Sequence, residues 1–143
     1  MVTEPFGDWV TALTDHDGLM VALRARSVEK SDPLRVKFTY LVIVKHHLGR
    51  VNAGGLPEPA YNESLKEFDH EVVGSFFDMK GMAVIVETCS GKRVYYGYSE
   101  DVAGAEGVFG LLKQRHTQHK LEFLIKSDPS WKFYDTYRSR FGW

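Results

Sequence analysis

Several features are scarce in this 143-residue chain, and each scarcity narrows what the protein can be. Cys89 is the only cysteine, which excludes an intrachain disulfide and a cysteine-based metal cluster and fits a reducing compartment. The chain has eighteen lysines and arginines and nineteen aspartates and glutamates, a formal net charge of -1. Its overall electrostatic field therefore does not attract a polyanion. A nucleic-acid partner would therefore need a local patch.

Long apolar runs are also missing. None approaches the roughly 20 residues that a membrane-spanning helix needs. The start, residues 1–9, lacks the basic lead and the apolar core of a signal peptide. We therefore expect a cytoplasmic protein with no membrane contact.

The composition is that of an ordinary folded protein, with 43% hydrophobic and 26% charged residues. A chain of this length buries about two-thirds of the surface that its unfolded form exposes. We expect residues 1–143 to form one domain with one core.

Strand-like patterns are rich in β-branched and aromatic residues and are bounded by turn residues. The run 38–44 is apolar on both alternating faces, which predicts a central strand covered on both sides. A hairpin is predicted across Ser90-Gly91. The predicted strands are Leu19–Arg26, Phe38–Val44, Met82–Cys89, Arg93–Tyr98 and Leu121–Ile125.

Three segments have helical spacing. The first begins near Asn62 and places Leu65, Phe68, Val72 and Phe76 on one side. The second runs from about Asp101 to Arg115, and its three glycines predict an irregular first half. For the third, Asp128 is the predicted cap and Pro129 the first helical residue, with Trp131, Tyr134, Tyr137 or Arg138, and Phe141 on one side.

This order predicts an α+β fold with an antiparallel sheet. Its core would be a ferredoxin-like βαββαβ unit, to which an extra N-terminal strand and a C-terminal helix are added. Helices cover one face of such a sheet, so something must cover the apolar residues on the other. The candidates are the helix with Trp131, the first strand with its upstream segment, or a second subunit.

At four places the chain resembles the bacterial domain-of-unknown-function family 695. These are Asp8-Trp9, the helix leading into Met82-Ala-Val-Ile-Val-Glu-Thr, the strand Gly91-Lys-Arg-Val-Tyr-Tyr-Gly-Tyr98, and Asp128-Pro-Ser-Trp-Lys-Phe-Tyr134. The resemblance implies no activity and no catalytic residue. Its general layout is similar to that of the regulator of ribonuclease activity B, a likeness at the level of the fold alone.

Reactive constellations are weak. His116 and His119 could hold a metal with Glu122 or Asp69, but histidines at a helix end are better explained by the helix dipole. Cys89 has no base beside it in the sequence and is interpreted as a small, partly buried residue. We expect no cofactor and no metal, and an enzyme is the less favoured interpretation.

A pocket is one alternative. His46 and His47 follow the central strand and point to opposite faces, and Arg50 lies at the start of the glycine- and proline-rich loop 49–59. A small-molecule site or an enzyme pocket could form between this loop and the sheet.

RNA binding is a second alternative. Val94, Tyr96 and Tyr98 share one face of a basic and aromatic strand, a pattern that can stack single-stranded RNA. Tyrosines packed in the core explain the same pattern, so nucleic acid is the less favoured partner.

The favoured hypothesis is a non-enzymatic binding or regulatory protein that contacts an unidentified protein partner or a second copy of itself. The contact would use the second sheet face or the end of the last helix. The candidate surface residues there combine aromatic rings with arginines, as binding hot spots do: Tyr96, Tyr98, Arg138, Arg140, Phe141 and Trp143.

Overall fold

The computed structural model describes residues 9–143; Asp8 of the family resemblance and nearly all of the start that lacks signal-peptide features lie outside the described residues. The described residues form six strands and five helices. In chain order they are β1 Trp9–His16, β2 Leu19–Arg26, α1 Leu34–Lys37, β3 Tyr40–His47, α2 Pro59–Ser64, α3 Lys66–Asp78, β4 Gly81–Cys89, β5 Lys92–Ser99, α4 Val102–Arg115, β6 Lys120–Ser127 and α5 Lys132–Phe141.

The strands form one sheet in the order β1-β2-β4-β5-β3-β6, and all neighbouring strands are antiparallel. The mixed α+β class with an antiparallel sheet is therefore as predicted. The part β4-β5-β3-β6, with α3 between β3 and β4 and α4 between β5 and β6, is compatible with the ferredoxin-like core.

The N-terminal addition is a hairpin of β1 and β2, one strand more than the sequence predicted. Asp17 and Gly18 have φ angles of 53° and 80° and form the two-residue turn between them. The Asp15 side chain accepts a hydrogen bond from the Gly18 amide at 3.0 Å, which supports the turn.

Helices α3 and α4 cover one face of the sheet, here called the helix-covered face. Val42 and Val44 of β3 are buried there against Val72 and Phe76 of α3. The Phe76 ring lies so close to β5 that a Cβ at Gly97 would be 2.5 Å from it, so this approach needs glycine. The helix predicted to begin near Asn62 begins earlier, at Pro59, and is divided at Leu65 into α2 and α3.

Helix α4 is continuous from Val102, so the predicted irregularity in its first half is wrong. The Asp101 side chain caps the helix by accepting a hydrogen bond from the Gly104 amide at 3.0 Å. A Cβ at Gly104 would lie 2.5 Å from the Asp101 carboxylate, so the glycine makes room for the cap.

Helix α5 and the turn before it cover much of the opposite face, here called the second face. Leu41 is fully buried there, while Val42 is buried on the helix-covered face, so the start of β3 is covered on both sides as predicted. From Ile43 onward, the second face of β3 is only partly covered. The second core is made by residues of β2, β3, β4, β5 and the C-terminal segment: Leu23, Ala25, Val28, Phe38, Leu41, Met82, Val84, Ile85, Tyr98, Trp131, Tyr134 and Tyr137. The C-terminal helix thus provides cover for the second face, and the described residues form a core on each side of the sheet rather than the single core predicted.

Helix α5 begins later than predicted. Its N-cap is Trp131, which has a left-handed φ of 57°, and Pro129 lies before the helix. Asp128 still acts as a cap, because its carboxylate accepts hydrogen bonds from the amides of Lys132 at 3.0 Å and Phe133 at 3.1 Å.

A partly buried ion pair fixes α5 to the rest of the molecule. The Arg35 guanidinium donates to both carboxylate oxygens of Asp135, at 2.9 and 3.0 Å, and to the Val28 carbonyl at 2.5 Å. The Trp131 indole donates to the Phe38 carbonyl at 2.7 Å. These bonds orient the helix, and the buried rings beneath it supply the apolar contact.

Candidate functional site

Tyr98 belongs to the second core. It is fully buried, and its ring stacks on Trp131 with 3.9 Å between centroids and 7° between planes. Its hydroxyl donates to Asp128 at 2.7 Å, and burial together with that carboxylate raises the pKa of Tyr98. The stacking partner of Tyr98 is therefore internal, and the suggested RNA platform of Tyr96 and Tyr98 does not exist as an exposed surface.

Tyr96 lies where the cover of the second face ends. Its ring packs on Phe133 with 4.7 Å between centroids. Beyond it, Ile43 of β3 pairs with Tyr96 on one side and with Leu124 of β6 on the other, so the three side chains form a row across three strands. The Leu124 residue is 53% exposed. We call this region, made of Ile43, Tyr96, Leu124 and Phe133, the open patch.

Charged groups border the open patch. Lys45 and Glu122 are paired across β3 and β6 and line the same shallow groove of about 400 Å³. The Glu122 carboxylate lies 2.8 Å from His47 Nε2, and this hydrogen bond lowers the pKa of Glu122. Arg140 is exposed and close enough to Tyr96 to oppose the rise in the pKa of its hydroxyl that burial causes. The patch thus has an apolar centre and a rim of both signs.

The other predicted C-terminal residues are mainly structural. Arg138 donates to the Trp143 carbonyl at 2.6 Å and to Glu29 at 3.3 Å. Phe141 packs on Tyr137 with 4.7 Å between ring centroids, and Trp143 is half-buried beside the same ring. Arg138, Phe141 and Trp143 therefore hold the end of α5, while Arg140 alone of the four is exposed.

The predicted pocket residues His46, His47 and Arg50 are not brought together. His46 is buried on the helix-covered face, His47 pairs with Glu122 on the second face, and Arg50 is exposed in the loop 49–59. The loop folds against the β4–β5 turn, where the Gly91 amide donates to the Gly55 carbonyl at 2.8 Å. The opposite orientation of the two histidines is as predicted.

His46 sits among rings. Its centroid is 5.0 Å from Phe68 and 4.8 Å from His119, and neither of its ring nitrogens has a hydrogen-bond partner among residues 9–143. Burial lowers the pKa of His46 to about 4, with His119, Arg93 and His47 acting in the same direction and Asp69 against it.

The suggested metal site is not assembled. His116 bonds to Glu71 rather than to Glu122 or Asp69, and Arg115 lies 3.3 Å from the same carboxylate. Within the described residues no group of three or more histidine, cysteine, aspartate or glutamate side chains is placed to hold a metal ion. Cys89 is half-buried, with its Sγ 3.5 Å from the Ser90 hydroxyl.

A polar cluster centred on Asp69 was missed by sequence reasoning. One Asp69 oxygen accepts hydrogen bonds from Arg24 at 2.6 Å and from the Tyr95 hydroxyl at 2.7 Å. Arg93 lies 3.7 Å from this oxygen and donates to Thr88 at 2.9 Å and Asn62 at 2.7 Å. Burial and the nearby carboxylate raise the pKa of Tyr95. These polar groups are hydrogen-bonded to one another, so the cluster connects β2, β5 and α3. In the sequence, the only sign of the cluster is that its strand residues point to the same face of the sheet.

The fold and these surfaces define a mixed α+β protein whose antiparallel sheet is covered by two helices on one face and by a C-terminal helix on the other. The chain belongs to the family of unknown function DUF695, whose family model matches residues 7–137. No curated protein and no solved structure matches it. In the described part of the chain, no helix has the length and apolar character needed to cross a membrane.

Proposed function

We propose that the protein acts by binding another protein, and that the open patch is the contact surface. The observation that carries this proposal is Leu124, which is 53% exposed in the row with Ile43 and Tyr96. Exposing this row to water has a free-energy cost that a partner would remove, at about 25 cal/mol for each Å² of apolar surface covered.

The composition of the patch fits a protein partner. Aromatic and aliphatic groups at the centre with charges at the rim are the usual arrangement of a protein–protein interface. The Tyr96 hydroxyl is protonated at neutral pH, like that of any tyrosine, and can donate a hydrogen bond to the partner. Arg140 and Lys45 supply positive charge, and Glu122 supplies negative charge. The single cysteine fits action in the reducing cytoplasm, which we propose as the compartment.

Site-specific crosslinking in cells tests the proposal. A photoreactive amino acid is placed at position 124 and, as a control, at position 111, because Leu111 of α4 is 58% exposed and lies outside the patch. We expect a discrete crosslinked adduct from position 124 alone, with the partner identified by mass spectrometry.

The affinity of the purified partner is then measured for the wild type, Leu124→Asp and Leu111→Asp. A hot-spot residue is worth 2 kcal/mol or more, so Leu124→Asp should weaken binding by about 30-fold or more while Leu111→Asp has little effect. Equal effects of the two variants, or adducts that do not depend on position, would contradict the proposal. Deleting residues 138–143 is a poor test, because Arg138, Phe141 and Trp143 stabilise the end of α5.

A further inference from the structure

Strand β1 forms an edge of the sheet at the end opposite to the open patch. The turn after it is a two-residue loop, so His16 and Leu19 form the hydrogen-bonded pair next to the turn. Because such pairs alternate along an antiparallel ladder, Thr11, Leu13 and Asp15 direct their backbone N–H and C=O groups away from β2. No described segment pairs with that side of β1.

The two edges of the sheet differ in how they are protected. The β6 edge carries Lys120 and Lys126, and lysine on an edge strand discourages pairing with another chain. Over residues 9–16, β1 has no lysine, arginine or proline, and its register with β2 is unbroken. Its Leu13 is 64% exposed. Of the two edges, β1 is therefore the one suited to adding a strand.

We infer that β1 pairs with β1 of a second copy of this chain, antiparallel and about a two-fold axis, which joins the two sheets into one. A two-fold axis perpendicular to the sheet keeps each side chain on its own face. In the register centred on Leu13, the leucines of both copies lie opposite each other and cover one another. In the same register Ala12 lies opposite Thr14, and the outward N–H and C=O groups of each copy pair with those of the other.

Charge favours a second copy in this register. Asp15 is exposed near the turn of the hairpin, whereas Arg24 is paired with Thr11 farther along β1. With Leu13 opposite Leu13, Asp15 of each copy lies opposite Thr11 of the other copy. Thr11 is paired with Arg24 in its own chain, so Asp15 of one copy and Arg24 of the other lie in the same row across the strands. Arg24 and Arg93 share the single carboxylate of Asp69, which leaves positive charge at this place. The negative end of each hairpin therefore meets the positive end of the other.

The oligomeric state of the purified full chain, measured by sedimentation equilibrium over a range of concentrations, tests the inference. We expect a dimer for the wild type and for Thr11→Val. We expect a monomer for Thr11→Pro at the same concentration, because proline removes an outward N–H without removing a bond to β2. A wild type that stays monomeric at all concentrations, a Thr11→Pro protein as dimeric as the wild type, or open-ended polymers would each overturn the inference.

A second variant keeps the test decisive if circular dichroism shows that Thr11→Pro does not fold. Leu13→Lys places two like charges opposite each other at the axis and removes the leucine pair. The dissociation constant of the dimer should therefore rise by about tenfold or more. Leu111→Lys, which changes a similarly exposed leucine on α4, should leave the dimer unchanged. Dimers of equal strength in Leu13→Lys and the wild type would overturn the inference.

Discussion

At the scale of single residues, His46 is unusual because it is buried, 1% exposed, with neither ring nitrogen bonded within the described residues. A buried polar group without a hydrogen bond costs about 1–3 kcal/mol. Its surroundings are rings and positive groups, which favour the neutral imidazole. The sequence placed His46 on one face of β3 but could not show that the rings of Phe68 and His119 would enclose it.

This burial predicts a dependence of stability on pH. The pKa of His46 is lowered to about 4, so the folded protein binds this proton more weakly than the unfolded chain does. The free energy of unfolding should therefore decrease as the pH falls below about 6.5, by about 3 kcal/mol in all from this group, and the loss should stop below about pH 4.

Urea unfolding between pH 7.5 and 4.5 measures this effect against a matched pair of variants. His46→Leu should have a smaller loss than the wild type over this range, since it has no imidazole to protonate. His47→Leu changes a more exposed histidine that is bonded to Glu122. This variant should still show the decrease in the free energy of unfolding that protonation of His46 causes. If His46→Leu loses as much stability as the wild type, another group is responsible.

At the scale of elements, the docking of α5 depends on the Arg35–Asp135 pair. Arg35 has a side chain only 8% exposed, so removing its partner leaves a buried charge whose remaining partners are the Val28 carbonyl and nearby aromatic rings. We predict that Asp135→Ala lowers the free energy of unfolding by about 3 kcal/mol. Glu63→Ala, which removes an exposed ion pair with Lys66, should change it by less than about 0.5 kcal/mol.

Chemical unfolding followed by tryptophan fluorescence checks this prediction, because Trp131 caps α5 and its ring is fully buried in the folded protein. Equal stability of Asp135→Ala and the wild type would show that apolar contact alone fixes the helix.

The sequence predicted the elements whose periodicity is strong and missed those set by tertiary contact. The hairpin at Ser90-Gly91 and the start of α4 near Asp101 were predictable because turn residues and helix starts depend on local sequence. Strand β1 was not, since polar and apolar residues are mixed along Trp9–His16 at an exposed edge. The start of α5 was shifted because Trp131 takes a left-handed conformation that its packing under Tyr98 stabilises.

Part of the candidate site was predicted from the sequence, and the rest depends on tertiary contacts. Tyr96 and Arg140 lie at or beside the open patch, but the sequence grouped them with Tyr98, which is buried. Leu124 was not singled out, because an apolar residue in a strand is expected to be buried. Its exposure depends on where α5 ends its cover.

At the scale of the whole molecule, the sheet has a core on each side, and the second depends on residues 131–143. We predict that a chain ending at Ser127 exposes Leu41, Ile85 and Tyr98, binds the dye ANS and loses its near-UV circular dichroism signal. Arg140→Ala, which changes an exposed residue of the same segment, should behave like the wild type. A truncated chain that binds no dye and keeps its near-UV signal would contradict this dependence.

The late position of α5 in the chain also has a consequence for synthesis. Because residues 9–127 are made before 131–143, the nascent sheet can gain its helix-covered core while its second face is still bare to solvent. Newly made chains should then depend on chaperones far more than chains refolding from denaturant, in which every residue is available at once.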